Sequence, residues 1–237
     1  DELAAAVEGR VENSKVLRLH LDELAAAVEG QVENSKVLRL HLGVLPLFGS
    51  QRLFRRLPEL RKLHPRLHID IDTSPNQLAR VGDTLDAAII LAHEPDPAFH
   101  SVRLDHNMVY AFTSKALAAE IGHNPDPAVL SRQTFLIHTE LPDSFAAWKV
   151  AVGMERLEPA AIDHYDSGQL ILEAAANGLG IAIMHDDHFN RAHDNRLAKI
   201  HDVEVESPYS YWFICRPHAL ELRSVRIFHD WISKAGL

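Results

Sequence analysis

Disulfide bonds and membrane spans are the first features that this sequence lacks. Cys215 is the only cysteine among 237 residues, which excludes an internal disulfide and is typical of a reducing cytoplasm. We interpret it as a buried, unreactive thiol. The apolar runs fall well short of the roughly 18 residues of a membrane span, and the first residues show no basic start before an apolar core, as a secretory signal would. We therefore expect a cytoplasmic protein with no membrane partner.

Positive charge is also scarce. The formal net charge is −9, and the one basic stretch, 52–62, mixes basic with acidic and apolar residues. Because affinity for nucleic acids comes mainly from neutralising phosphates, residues 1–237 should bind DNA poorly by themselves. If the protein acts on DNA, we expect its DNA-reading part to lie outside these residues.

Catalytic motifs are missing as well. Gly178 and Gly180 follow a predicted helix and precede a predicted strand, whereas a dinucleotide-binding loop has the opposite order. Ser167 has no G-x-S-x-G surroundings, and a serine at a helix start is more often an N-cap. Such a helix start still attracts anions, so Ser167 is a candidate ligand contact. The sequence predicts no catalytic residue and no cofactor, and hence no enzyme.

Histidine, by contrast, is abundant, with 16 residues. The segment His185-Asp186-Asp187-His188 is the best case for a metal site, because histidines at i and i+3 can share a helical face. It has neither a cysteine partner nor an H-E-x-x-H pattern. We interpret it as a solvated, acidic helix start, with a metal site as the alternative, and predict no bound metal.

A tandem duplication occupies the first 42 residues. Residues 1–21 recur as 22–42 with a single difference, Arg10 against Gln31. A natural solenoid repeat would have diverged more and recurred more often, so we favour a cloning or sequence-record artefact for 1–21. The alternative is a second strand copy, 15–21, able to pair at a sheet edge. The D-E-L-A-A-A-V-E-G part of each copy is predicted to be helical.

The stretch from Lys36 to Ser74 reads as strand, helix, strand. Residues 37–42 form a short apolar run, residues 53–63 show helical spacing of leucines, and residues 67–72 alternate apolar with polar. A unit of this length implies a parallel pair of strands and therefore α/β architecture. Ligands bind outside the carboxyl ends of such strands, which points to 43–50 and 73–76.

The rest of the chain continues the alternation of strands and helices. Strands are predicted at 86–91, 108–113, 135–137, 180–184 and 209–215. Helices are predicted at 115–121, 145–152, 167–178 and 222–235, with a short helix or turn at 75–83.

Four segments, in order, resemble the effector-binding domain of LysR-type transcriptional regulators. The first is 43–65 with its L-P-E-L-R-K-L-H-P run and the following I-D-I-D-T-S; the others are 85–92, 165–183 and 225–232. No single motif is diagnostic, but the order and the spacing of the four carry the resemblance, which covers 36–232. It is closest to the subgroup that includes the glycine-cleavage and β-lactamase-inducing activators.

The resemblance implies an α/β, two-subdomain, periplasmic-binding-protein-like (type II) fold with a ligand cleft between the subdomains. Subdomain I would comprise 36–113 and 213–237 and subdomain II 114–212, with 1–35 as a linker-helix segment and chain crossings near Thr113 and Phe213. The matching positions that would line the cleft are Leu45, Leu47, Phe48, Ser50, Ser74, Thr113, His138, Thr139, Ser167 and Met184.

Two departures from the family bear on the effector. Leu45 and Leu47 stand where related sequences often carry small hydroxyl residues, and Ile90 stands where they often carry a basic residue. We hypothesise a less polar cleft and a partly apolar or aromatic effector.

The function predicted on this basis is effector sensing and oligomerisation for a LysR-type regulator. It would be a homodimer or homotetramer, in which a small molecule shifts how an N-terminal helix-turn-helix sits on DNA. A solute-binding protein of a transport system, which shares the fold type, is the alternative. An enzyme on the same scaffold is a third interpretation.

Overall fold

The structure is a computed structural model that describes residues 18–21, 23, 37–185 and 194–236. The chain divides into two units, 1–38 and 39–237. In the first unit, residues 18–21 and 23 are helical and exposed. Of these, only residue 23 falls in the predicted helix 22–30. The rest of the predicted linker-helix segment 1–35 lies outside the described residues.

The described strands lie in the second unit, except that β1 begins at Leu38, the last residue of the first unit. In chain order they are β1 (Leu38–Val44), β2 (Leu67–Asp72), β3 (Ala87–Ala92), β4 (His100–Arg103), β5 (Met108–Ser114), β6 (Thr134–His138), β7 (Ala161–Tyr165), β8 (Ile181–His185), β9 (Leu197–Lys199), β10 (Val205–Glu206) and β11 (Ser210–Cys215).

The helices alternate with these strands. They are α1 (Pro46–Phe48), a π-helical turn Gly49–Leu53 that runs into α2 (Phe54–Leu63), α3 (Gln77–Arg80), α4 (Lys115–Ile121), α5 (Pro127–Leu130), α6 (Pro142–Ala151), α7 (Gly168–Ala176), a 3-10 turn Pro217–Glu221 and α8 (Arg223–Ile232). None of the helices that the structure describes is long and apolar enough to cross a bilayer.

The first sheet has the strand order β2-β1-β3-β11-β4. Its centre is apolar because Leu40, Leu42 and Val44 of β1 are completely buried. Strand β1 pairs in parallel with β3, and β11 pairs antiparallel with both β3 and β4. The predicted strand–helix–strand unit is therefore present, with β1 extending two residues beyond its predicted end.

The second sheet has the order β10-β5-β8-β6-β7, and β9 also pairs with β5. Strands β7, β6 and β8 run in parallel, whereas β5 is antiparallel to β8. On one face, Trp148 of α6 is completely buried against Phe135 and Phe145. On the other face, α7 contributes Ile171 and Ala175 to a separate apolar cluster. The sheet is thus covered by helices on both faces, as parallel strands require.

The chain passes between the sheets at 104–107 and at 207–209, because β4 and β11 lie in the first sheet and β5 and β10 in the second. The crossings predicted near Thr113 and Phe213 lie several residues further along the chain than these changes of sheet. Strand β5 was assigned to the first subdomain but pairs with β8, and Tyr211 and Trp212 were assigned to the second but pair with β3.

Candidate functional site

Leu47 brings the two sheets into contact. It follows β1 of the first sheet, yet it packs in an apolar cluster with Tyr110 and Met184 of the second. A Cβ added to Gly168, the first residue of α7, would lie only 3.2 Å from Leu47 Cδ2 and 3.2 Å from Met184 Cε. The missing side chain at Gly168 therefore provides the room in which Leu47 and Met184 approach the start of α7.

The residues next to Leu47 in the sequence differ in how far they are buried and in what they contact. Leu45 is half-buried at the start of α1, and the exposed Ser50 donates a hydrogen bond from Oγ to the Leu47 carbonyl at 3.2 Å. Phe48 is completely buried against Tyr211, with ring centroids 4.6 Å apart. Phe48 therefore presents no surface to a ligand and belongs to the packing beneath the site.

Ser167 begins α7 as its N-cap. Its Oγ accepts a hydrogen bond from the Leu170 N–H at 3.5 Å, so the predicted capping role is found. The backbone N–H groups of the first turn and the helix dipole make this end favourable for an anion. Because Gly168 touches Leu47, this helix start lies directly beside the contact between the sheets.

His138 ends β6 and Thr139 follows it, next to the segment that leads into α7. Thr139 donates hydrogen bonds from both its N–H and its Oγ1 to the Tyr165 carbonyl, at 2.8 and 3.1 Å. Burial lowers the pKa of the His138 imidazole, and the carboxylates of Glu140 and Asp166 partly offset this effect. The imidazole is therefore a neutral group at pH 7, able to donate and accept hydrogen bonds.

Ser74 follows β2 at the carboxyl end of the first sheet and is exposed. Its N–H donates to Asp72 Oδ1 at 2.8 Å, and Asp72 is paired with Arg80 at 2.7 Å. The hydrogen bonds from Arg80 hold the pKa of Asp72 well below its usual range. Gln77 ties this loop to β1 by donating to the Val44 carbonyl at 3.1 Å.

Thr113 does not join these residues. It is completely buried in β5, and its Oγ1 donates to the Gly180 carbonyl at 2.8 Å. It was selected because the chain was expected to cross between the sheets at this point, whereas the crossing precedes β5. In this structure Thr113 fixes β5 against the start of β8 and presents no surface to a ligand.

A polar contact between the sheets was missed by sequence reasoning. His93, just after β3, lies with Nε2 2.9 Å from Oδ2 of Asp143 in the first turn of α6. Tyr209, in the second crossing, donates from Oη to the same oxygen at 3.2 Å. Burial and the negative charge of Asp143 raise the pKa of Tyr209. His93 and Asp143 follow the carboxyl ends of β3 and β6, so the rule that was applied to β1 and β2 could have found them.

The first crossing is held by a buried ion pair. Arg52, in the π-helical turn, is 1% exposed and lies with Nη1 2.6 Å from Asp105 Oδ2, while its guanidinium stacks 4.9 Å from the Tyr211 ring centre. Asp105 Oδ1 accepts from the Tyr211 N–H at 2.8 Å. The Ser207 N–H donates to the Asn107 carbonyl at 2.8 Å, so the two crossings are also bonded to each other.

His185 ends β8 as a buried residue rather than beginning a helix. Its Nε2 is 2.8 Å from Ser207 Oγ in the second crossing. Residues 186–193 lie outside the described residues. The predicted acidic helix start at 185–188, and the metal site that is its alternative, therefore stay predictions. Across the described ranges 37–185 and 194–236, no group of three or more His, Cys, Asp or Glu side chains is arranged to hold a metal ion.

These residues together form a candidate ligand site at the boundary between the sheets. Leu45, Leu47 and Met184 supply an apolar surface, and the start of α7 supplies N–H donors beside it. His138, Thr139, His93 and Asp143 add polar groups at the neighbouring strand ends. Such an arrangement can bind a small molecule reversibly and can respond to it, because its two sides belong to different sheets.

A protein-family model described as the LysR substrate binding domain matches residues 34–236. Among curated proteins, the transcriptional activator AmpR of Enterobacter cloacae is 27% identical over 192 residues, which cover 80% of this chain and 64% of that protein. The transcriptional regulator BlaA of Proteus vulgaris is 25% identical over 186 residues, covering 78% and 62% respectively. The chain therefore spans less than two thirds of the length of these relatives.

Solved structures show the same fold. The effector domain of AmpR from Pseudomonas aeruginosa has a TM-score of 0.73 at 23% identity, covering 84% of this chain and 95% of that one. The AmpR effector binding domain from Citrobacter freundii gives 0.73 at 23% identity, with 84% and 98% covered. The predicted α/β, periplasmic-binding-protein-like fold is confirmed.

Proposed function

The chain belongs to the LysR substrate-binding domain family, and from this we propose that it senses a small-molecule effector for a LysR-type transcriptional regulator. Its curated relatives carry helix-turn-helix regulator names and are longer than this chain. The net charge of −9 gives residues 1–237 little affinity for phosphates. The part that reads DNA is therefore an N-terminal helix-turn-helix outside these residues. The relatives' names support this proposal over a transport protein.

The observation that carries the proposal is the pair of contacts across the boundary between the sheets. Leu47 meets Gly168 and Met184, and His93 meets Asp143. An effector that fits between these groups favours one closure state over another by its differential affinity for the two. That bias alters how subunits pack and how distant DNA-reading helices reach their half-sites. No covalent step is needed, so the domain acts without being an enzyme.

The effector itself is partly apolar or aromatic. Leu45 and Leu47 bring apolar side chains to the boundary between the sheets, and Ile90 is half-buried beside Trp212 in an apolar cluster. The polar contacts come from Ser74, His138, Thr139 and Ser167, which lie at strand and helix ends. The anion-favouring start of α7 is one anchor for a carboxylate, beside an otherwise apolar surface.

The same family membership supports three further parts of the proposal. The protein assembles as a homodimer or homotetramer, works in the cytoplasm, and belongs to the glycine-cleavage-activator-like subgroup. The segments 43–65 and 165–183 support the subgroup, and the AmpR-named relatives are consistent with it. Sedimentation of the chain over a range of concentrations tests the assembly, since a monomer at every concentration would contradict it.

Thermal unfolding against a panel of small molecules tests the ligand site. A ligand that binds only the folded chain raises the unfolding midpoint, because at a hundredfold excess over its dissociation constant it increases the free energy of unfolding by about 2.7 kcal/mol. The panel contains amino acids, aliphatic and aromatic carboxylates, neutral aromatics and cell-wall peptides. We expect an aromatic or apolar compound to raise the midpoint, and Leu47→Ser and Ser167→Ala to reduce that rise at least severalfold.

The matched control is Ser131→Ala, because Ser131 Oγ bonds only within its own turn, to the Ala128 carbonyl at 3.0 Å. It should keep the full ligand response. An effector whose affinity is unchanged in Leu47→Ser and Ser167→Ala would place the site elsewhere. The regulatory role is tested separately in the longer protein, where the same compound must change affinity for a DNA operator and the same two variants must weaken that change.

A further inference from the structure

Two histidines outside the cleft point their ring nitrogens at each other. His100 is the first residue of β4 and His229 lies in α8, which contacts the first sheet where Phe228 packs against Phe213 of β11. Their Nε2 atoms are 3.0 Å apart and their ring centroids 4.9 Å apart. On the other side of its ring, His229 has Nδ1 2.9 Å from Oδ1 of Asp230.

The protons of this group can be assigned from its hydrogen bonds. A carboxylate can only accept, so Nδ1–H of His229 donates to Asp230 Oδ1 and Nε2 of His229 carries a lone pair. That lone pair accepts from Nε2–H of His100 in the apo protein. Movement of the His100 proton to Nδ1 would leave two lone pairs converging on one point. A carboxylate behind a histidine in this manner is the outer-shell arrangement that orients metal-binding imidazoles.

We propose that His100 and His229 bind a divalent transition-metal ion of the Ni²⁺ or Cu²⁺ type through their Nε2 atoms, with Asp230 orienting His229. The ion replaces the shared proton of the hydrogen bond, and that proton passes to Nδ1 of His100 through water. Two protein nitrogens occupy neighbouring positions around the ion, and water fills the others. No redox step is involved.

The distance between the nitrogens selects the metal. Two nitrogens about 2.1 Å from one ion and at a right angle are about 3.0 Å apart, whereas tetrahedral geometry separates them by about 3.4 Å. The observed 3.0 Å fits neighbouring positions in a square or octahedral site. Tetrahedral Zn²⁺ would require the two nitrogens to separate by about 0.4 Å, so it should bind less tightly than Ni²⁺.

The surroundings leave the pair accessible. The His229 side chain keeps 20% of its surface exposed, which leaves a path for a hydrated ion. The neighbouring strand residue Cys215, opposite His100 in the sheet, is completely buried and its pKa is raised by burial to about 11, so its thiol stays protonated.

Calorimetric titration with Ni²⁺ at pH 7.5 tests the proposal. The parent protein carries His188→Gln and His193→Gln, because the H-D-D-H segment and His193 could also attract metal. We expect one class of Ni²⁺ sites, at least tenfold weaker in His100→Gln and in His229→Gln. Asp230→Asn should weaken it about 10–100-fold, as outer-shell changes do. His218→Gln, which removes another exposed imidazole, is the matched control and should bind as the parent does.

Electron paramagnetic resonance of the Cu²⁺ complex gives a readout that a purely structural role would not change. The parent should show splitting from two nitrogens, and His100→Gln from one. Unfolding midpoints without metal establish that each variant is folded, and Asp230, whose side chain is 62% exposed, is the substitution least able to disturb the fold. Ni²⁺ affinity unchanged in His100→Gln and Asp230→Asn, or no Ni²⁺ binding by the parent, would overturn the proposal.

Discussion

Protonation of His100 opposes folding. Its pKa is lowered in the folded chain by burial and by the adjacent His229, so the unfolded chain binds that proton more readily. The free energy of unfolding should therefore fall as the pH drops through about 6.5, the ordinary pKa of histidine. Burial also lowers the pKa values of His138 and His201, so protonation of these two residues adds to the loss of stability at low pH.

Urea unfolding at pH 7.5 and pH 5.5, with a chelator present, measures this contribution. The His100→Gln variant should lose less stability between the two values than the wild type, because a glutamine has no proton to gain. His218→Gln, an exposed histidine, should keep the wild-type difference. If His100→Gln also keeps it, protonation of His100 does not oppose folding.

Arg52 is the charged residue whose loss should cost most. It is 1% exposed, and its partner Asp105 is 7% exposed, so neither charge is solvated. Replacing Arg52 by Met leaves a buried carboxylate without its cation, which typically costs about 3–5 kcal/mol. Chemical denaturation should show this loss for Arg52→Met and almost none for the exposed Arg61→Met. Equal stability of the two variants would mean that solvent reaches Asp105.

The last four residues of the two copies have the same sequence but adopt different structures. Residues 18–21 and 39–42 have the same sequence, yet the first are helical and the second form part of β1. The residues that follow decide the outcome, since Gly43 comes after the second copy and Asp22 after the first. A Cβ at position 43 would lie 2.9 Å from Leu85 Cδ1 and 3.2 Å from Ala88 Cβ. Only the copy followed by glycine can continue into this sheet.

Two variants test this account by thermal unfolding. Gly43→Asp should destabilise the chain by about 1–3 kcal/mol or more, because overpacking forces the neighbours of β1 apart. Deletion of residues 1–21 should leave the midpoint unchanged. A large loss of stability on deletion would instead support the alternative that the first copy contributes a strand.

The elements that the sequence predicted well are those with a strong apolar pattern. Strands β1, β3 and β8 and helix α8 follow their predicted positions, because their buried residues recur at the period of the element. Strand β7 was missed: four of its five residues are exposed, and it forms the outer edge of its sheet. Strands β9 and β10 were missed because two or three residues carry no period.

The candidate site was harder to predict than the elements. Leu47 and Met184 lie beside the helix start that Ser167 caps, because strand ends and helix starts gather at the carboxyl edge of parallel strands. The burial of Thr113 inside β5 was not evident from the sequence, because sheet membership depends on pairing with distant residues and β5 has the same apolar pattern in either sheet. Phe48 reads as a site residue beside Leu47, yet the neighbouring Tyr211 comes from a segment more than 160 residues away.

At the scale of the whole molecule, Asp143 links the first sheet to the second. Its carboxylate contacts His93 and accepts a hydrogen bond from Tyr209. The side chains of His93 and Asp143 are both more than half exposed. An exposed pair contributes up to about 1 kcal/mol, which corresponds to a shift of up to about fivefold between two closure states. We expect Asp143→Asn to increase the population of the more open state by up to this factor.

Distances between spin labels can measure that population. Labels at His68 on β2 and Asp163 on β7 report on the outer edges of the two sheets, where both side chains are exposed. The longer distances should gain weight in Asp143→Asn and in His93→Gln. Glu155→Gln, an exposed carboxylate away from this contact, should leave the distribution unchanged. A distribution that is the same in all variants would show that the contact does not influence closure.

The paired crossings restrict how the two sheets can move relative to each other. Because the Ser207 N–H bonds the Asn107 carbonyl and Asp105 bonds the Tyr211 N–H, the two connections cannot slide past each other without breaking hydrogen bonds. Rotation about the line through them breaks neither bond. We therefore expect an effector to change mainly the angle between the sheets. A change in that angle can reach a distant part of the protein without any contact between that part and the effector.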